Sequence, residues 1–124
     1  MSECCASAEG VMLLACSGGS NVGQIANETA KALDQLGQGR MYCAVGVAAQ
    51  LPSFVQNARE AAVRVAIDGC TVQCVKKALE AAQLRADVEI IVTDLGIEKG
   101  HHFNYTQEQI AQVAGEVTRK LRGK

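Results

Sequence analysis

Two kinds of apolar run alternate in this chain. Val11-Met12-Leu13-Leu14-Ala15-Cys16 is short and continuous, as expected of a strand covered on both faces. It stops at Ser17-Gly18-Gly19-Ser20. Val22, Ile25, Ala26, Ala30, Leu33 and Leu36 then recur at helical spacing, with Asn21 as the expected N-cap and Gln24 as its reciprocal partner. Gly37 and Gly39 end that run.

The cycle repeats. Arg40 to Val47 reads as a second strand, and Pro52 to about Ala62 as a helix. Val63 to Ile67 reads as a third strand, ending at Asp68-Gly69-Cys70. A helix carrying Val72, Val75, Ala78, Leu79 and Ala82 is expected to follow directly. Val88 to Val92 reads as a fourth strand, closing at Thr93-Asp94-Leu95-Gly96. Thr106 and Gln109 form a capping box before a helix striped by Ile110, Val113, Ala114, Val117 and Leu121.

Strands alternating with helices imply right-handed crossovers. The fold class expected is therefore α/β, a three-layer sandwich with a four-stranded, mainly parallel sheet and helices on both faces. One domain is expected over residues 10–124, preceded by a flexible arm of small and polar residues over 1–9. At 124 residues the chain has room for one core. It is 48% hydrophobic but only 3% aromatic, so Val, Ile, Leu and Ala must fill the interior.

Charge removes several functions. Twelve basic residues stand against thirteen acidic ones, for a net charge of −1. Nucleic-acid binding draws most of its affinity from phosphate contacts, so a near-neutral chain without a basic run or aromatic platform is a poor candidate. No apolar run approaches a membrane span. The start, Met1-Ser2-Glu3-Cys4-Cys5, has no basic region followed by an apolar one, so a cytoplasmic location is expected.

Six cysteines without an export signal point to metal or thiol chemistry, not to a disulfide framework. Their placement carries the signal. Cys16 ends the first strand, Cys70 follows the third, and Cys43 lies in the later half of the second. Cys74 sits four residues beyond Cys70, so one helical turn would bring both thiols to one face. In such a sheet the carboxyl ends of the strands share one edge, where ligands bind. Neighbouring strands are roughly 5 Å apart, so residues ending them can converge on one ion. Zinc suits four thiolates in a tetrahedron. The negative charge of such a site needs an offset, which helices starting near Asn21 and Thr71 are expected to supply through their N–H groups. Gly18, Gly19, Gly23 and Gly69 let the backbone approach closely. Each cysteine also has a plainer reading as a small buried hydrophobe, and Cys43 most of all, since it could face the core from within its strand.

Cys16-Ser17-Gly18-Gly19-Ser20-Asn21-Val22-Gly23-Gln24, Cys43, Ile67-Asp68-Gly69-Cys70, Cys74 and Thr93-Asp94-Leu95-Gly96 resemble the DGC-domain family of zinc-binding proteins. The resemblance runs from the first strand to the last helix. It implies a cysteine-ligated zinc site and assigns no activity. Family members read Cys-Ser-Gly-Cys-Ser where this chain has Gly19. The implied ligand set is therefore either one thiol short or completed by Cys43.

Other readings are weaker. The Gly18 to Gln24 segment looks like a phosphate loop but has Gln24 and Ile25 where lysine and Ser or Thr belong. No arginine follows Cys16 at the distance a phosphatase loop needs. A thiol-dependent redox enzyme is the main alternative, with Cys70 at a helix start and Cys74 as resolving partner. An iron–sulfur cluster would use the same ligands. Asp68 and Asp94 are expected to cap N–H groups, and His101 and His102 to be solvated loop residues. Cys4 and Cys5 are expected to stay away from the site, and the basic residues Arg119 to Lys124 to complement a helix end.

Overall fold

The computed structural model describes residues 10–124; the expected arm, with Cys4 and Cys5, lies outside the described residues. Four strands, β1 (Val11–Ala15), β2 (Arg40–Met41), β3 (Val63–Asp68) and β4 (Val88–Ile91), form one sheet in the order β2-β1-β3-β4. Every pairing is parallel, with Val11 opposite Val63 and Val65 opposite Val88. Among the described residues the α-helices are α1 (Asn21–Gln35), α2 (Ala44–Ala48), α3 (Pro52–Glu60), α4 (Cys74–Ala81) and α5 (Gln107–Arg122).

Strand alternation divides the core in two. Leu13, Ala15, Val65, Ile67 and Ile90 face α1 and α5, where Ile25, Leu33, Val113 and Val117 are fully buried. Met12, Leu14 and Ala66 face the opposite way, against Val47, Ala58, Val75 and Leu79 of α2, α3 and α4. This is the expected α/β sandwich. Side chains of Val, Ile, Leu and Ala, nearly continuous along β1, are what a sheet buried on both faces requires.

Strand order decides where a site belongs. From β1 the chain crosses outward to β2, then returns past β1 to β3 and onward to β4. The direction reverses between β1 and β3, and such a switch point opens a crevice at the carboxyl ends of the strands.

Four local expectations need correction. The second strand is only Arg40–Met41; Tyr42 adds one ladder bond to Leu13, and Ala44–Ala48 is helical. This strand is at the sheet edge, and Gly46 lets α2 close on Phe54, because a Cβ there would sit 2.3 Å from the ring. Helix α4 starts at Cys74, not near Thr71, since Gln73 takes a left-handed backbone with φ of 55°. Cys70 therefore lies outside the helix. The N-cap of α1 is Ser20, whose hydroxyl accepts from Gly23 N at 3.0 Å, leaving Asn21 and Gln24 for other contacts. The fourth strand ends at Ile91, and Val92–Leu95 forms a 3-10 turn. The capping box at Thr106 and Gln109 forms as expected.

Candidate metal centre at the carboxyl edge of the sheet

The ladder between β1 and β3 extends one residue past the strands, where Cys16 N donates to Ile67 O at 2.9 Å. That bond sets Cys16 at the switch point, and Gly69 and Cys70 leave β3 beside it. Three glycines then press the flanking segments together. A Cβ on Gly23 would meet Gly18 O at 2.7 Å, and one on Gly69 would meet Gly23 N at 2.9 Å. Backbone packs on backbone here, which only glycine allows. Gln24 ties the turn from the other side, its amide donating to Gly18 O at 3.0 Å and Ser17 O at 3.2 Å. The side chain standing where a phosphate loop carries lysine therefore binds the turn's own carbonyls.

All four expected thiols in the described residues are free and lie at or near this edge. Cys16 Sγ accepts from Gly18 N at 3.4 Å. Cys43 Sγ accepts from Gly46 N at 3.3 Å and so caps α2. Cys70 Sγ accepts from Lys99 Nζ at 3.4 Å. Cys74, the first residue of α4, lines with Cys16 an apolar cleft of about 190 Å³ whose other walls include Ala44, Val45, Val75 and Ala78. The edge is as expected, but full convergence is not reached. Among the described residues, no three Cys, His, Asp or Glu side chains stand together closely enough to hold a metal ion. The placement has a physical cause. Cys70 is carried by the turn before α4, on the side of Lys99, whereas Cys74 is carried by α4 toward Cys16.

Asp68 ends β3 almost fully buried, at 2% exposure. Its carboxylate accepts from Val75 N at 2.8 Å and Lys76 N at 3.2 Å. It thus caps α4 from a neighbouring strand, a role that Gln73, with no side-chain cap bond, does not fill. Burial pushes its carboxyl above the ordinary aspartate value, while the two N–H donors pull the other way.

Sequence reasoning passed over Lys99 and took Asn21 for a helix cap only. Asn21 is buried and clamps the loop after β4: its amide donates to Glu98 O at 2.9 Å, its carbonyl accepts from Gly100 N at 2.8 Å, and its backbone N–H donates to Gly100 O at 3.2 Å. The clamp carries Lys99 to Cys70 and lays His101 over Gly19, with Nδ1 2.9 Å from Gly19 O. The usable signal was topological. A cation in the loop leaving β4 belongs to the same sheet edge as the thiols. Asp94 is exposed in the 3-10 turn.

The DGC domain model matches residues 12–117, which include every element from β1 to most of α5. This chain belongs to the DGC-domain family. It is also 31% identical over 110 residues to the anaerobic and virulence modulator AnvM of Pseudomonas aeruginosa, a span of 89% of this chain and 84% of that protein. No solved structure matches the chain. Among the described residues, no helix of this DGC-domain protein is long and apolar enough to cross a membrane.

Proposed function

We propose that this DGC-domain protein is a metal-binding module that holds zinc through thiolates at the β1/β3 switch point. Cys16, Cys70 and Cys74 are the proposed ligands, with Cys43 as the fourth thiol candidate. One observation carries the reading: Cys16 and Cys70 follow within two residues the two strands between which the chain reverses direction, and Cys74 begins the helix that comes next. The donor chemistry fits zinc, because free thiols in this number satisfy a soft, tetrahedral ion. Lys99 fits as well, since it brings a positive charge to sulfur where a thiolate-rich ion needs an offset. Binding requires the cysteines to turn toward a common point. A change of χ1 between staggered wells swings a sulfur by roughly 3 Å, a movement that leaves the sheet in place. A reducing compartment, as the cytoplasm is, would keep these thiols available. The name of the Pseudomonas relative supports a regulatory use of such a site over a catalytic one.

Elemental analysis of protein purified without chelators tests this reading. About one zinc per chain is expected, with loss of the metal in Cys16→Ser, Cys70→Ser and Cys74→Ser. Metal-free wild type, or zinc retained in all three variants, rejects it.

A second reading is favoured by a separate observation. Cys16 and Cys74 share the walls of one small cleft, an arrangement that suits a dithiol working in redox chemistry. An iron–sulfur cluster would use the same donors and would colour the purified protein brown. A colourless, metal-free protein with one thiol of unusual reactivity would support redox work.

A further inference from the structure

We infer that the chain pairs with a second copy of itself through the outer face of α1 and α5, the two α5 helices crossing antiparallel at Gly115. The inference is independent of the zinc reading, since no cysteine lines this face. Between the two helices lies an open apolar groove of about 340 Å³, whose walls include Leu33, Ile110, Ala111, Ala114 and Thr118. Leu36 stands at the same groove and is 68% exposed, although it directly follows a helix whose apolar side is buried. A leucine left in water beside an apolar groove gives a second surface something to cover.

Gly115 is a separate sign. It sits at the middle of α5, exposed, where glycine weakens a helix relative to alanine. Gly23 and Gly69 are needed because neighbouring backbone fills the space of a side chain. A Cβ built on Gly115 meets nothing within 4 Å. Nothing inside the chain requires glycine there. A second helix laid across α5 would, because the absence of a side chain lets two backbones approach closely.

Charge along α5 selects the partner and its direction. Glu108 and Arg122 lie seven residues before and after Gly115, so all three share one face, opposite the buried Ile110, Val113 and Val117. Neither Glu108 nor Arg122 has an ion-pair partner among the described residues, whereas Arg119 is paired with Glu116. A twofold axis across α5 at Gly115 sets Glu108 of each copy opposite Arg122 of the other. A parallel pairing would put like charges together. The same rotation treats the groove correctly. Gln38, two residues past Leu36, accepts from Thr118 Oγ1 at 2.9 Å, which places Leu36 toward the C-terminal half of α5. The second copy's Leu36 therefore arrives over the N-terminal half, beside Ala111. Knob, groove and both charges lie on one surface, as a self-complementary contact requires.

Sedimentation equilibrium of the full-length chain over a concentration series, in reductant and chelator, tests the pairing. Wild type is expected to pass from monomer to dimer as concentration rises. Gly115→Arg should weaken the dimer at least about ten-fold, by overfilling the crossing. Circular dichroism should show the variant folded, because its own chain leaves that space open. Leu36→Gln should weaken the dimer in the same direction. Glu108→Arg should weaken it about five-fold, since each dimer holds the charge pair twice, and adding Arg122→Glu should restore it. A wild type that stays monomeric throughout, or a folded Gly115→Arg that pairs as wild type does, overturns the inference. A double reversal that pairs no better than Glu108→Arg overturns the antiparallel register. Since metal is withheld in every sample, each result stands apart from the zinc content of the protein.

Discussion

Gly23 illustrates how a single hydrogen atom in place of a methyl group shapes this edge. The obstacle to a larger residue is the backbone of Gly18, at 2.7 Å from the would-be Cβ, and no rotamer change can relieve it. Gly23→Ala must push the Ser17–Ser20 turn away from α1. We expect a loss of about 1–3 kcal/mol, measured by urea denaturation, together with weakened zinc uptake, because the displaced turn carries the Gly18 N–H that meets Cys16. At the same scale, Cys43 carries a contact that its sequence placement does not announce. Sequence placement makes it one of four comparable thiols, yet its sulfur is the cap of a five-residue helix. Nothing in the local sequence reveals the capping contact, and a thiolate can accept an N–H while it binds a metal, as Cys16 with its Gly18 N–H would.

Helix starts depend on partners that are distant in the chain. For α5 the signal is local: Thr106 and Gln109 satisfy each other's backbone N–H groups, and the capping box is legible as written. For α4 it is not. Gln73 makes no side-chain cap bond, and the free N–H groups of Val75 and Lys76 are met by Asp68 from the end of β3. Asp68→Ala should therefore destabilise the protein by about 1–2 kcal/mol, the usual cost of an N-cap lost. Hydrogen exchange should locate that loss, with faster exchange at Val75 and Lys76 and little change in α5. Uniform loss of protection across both helices would contradict the assignment. The cap also explains why the helix begins at Cys74 instead of near Thr71. The buried carboxylate selects which N–H groups come first, and this leaves Cys70 in the turn.

At the scale of the whole molecule, the proposed zinc site would join three segments, those that follow β1 and β3 and the start of α4. An ion bound only by the native arrangement stabilises it by mass action. Free zinc at about 100 times its dissociation constant should add about 2.7 kcal/mol. For a domain of this size that corresponds to a rise in melting temperature of roughly 10 °C, readable by calorimetry and reversed by a chelator. An unshifted transition would mean that the native state holds zinc no more tightly than the unfolded chain does, and a preformed centre would fail with it. The doubly wound order makes such a joint possible, since β1 and β3 are neighbours while the segments they begin lie on opposite faces of the sheet.

Much of this architecture is written in short-range terms. Continuous apolar runs of five or six residues, helical spacing of Val, Ile, Leu and Ala, and glycines at the breaks are enough to specify strands, helices and their alternation, because burial on both faces of a parallel sheet depends on side chains alone. The carboxyl edge as the location of Cys16, Cys70 and Cys74 follows from the same alternation. Strand order, the early end of β2, the late start of α4 and the loop fastened by Asn21 do not. Each depends on a hydrogen bond or a close approach between residues far apart in the chain: Asn21 with Gly100, Asp68 with Val75, Gly69 with Gly23. Those contacts exist only once the layers have packed, and it is they that bring Lys99 to Cys70 and His101 to Gly19.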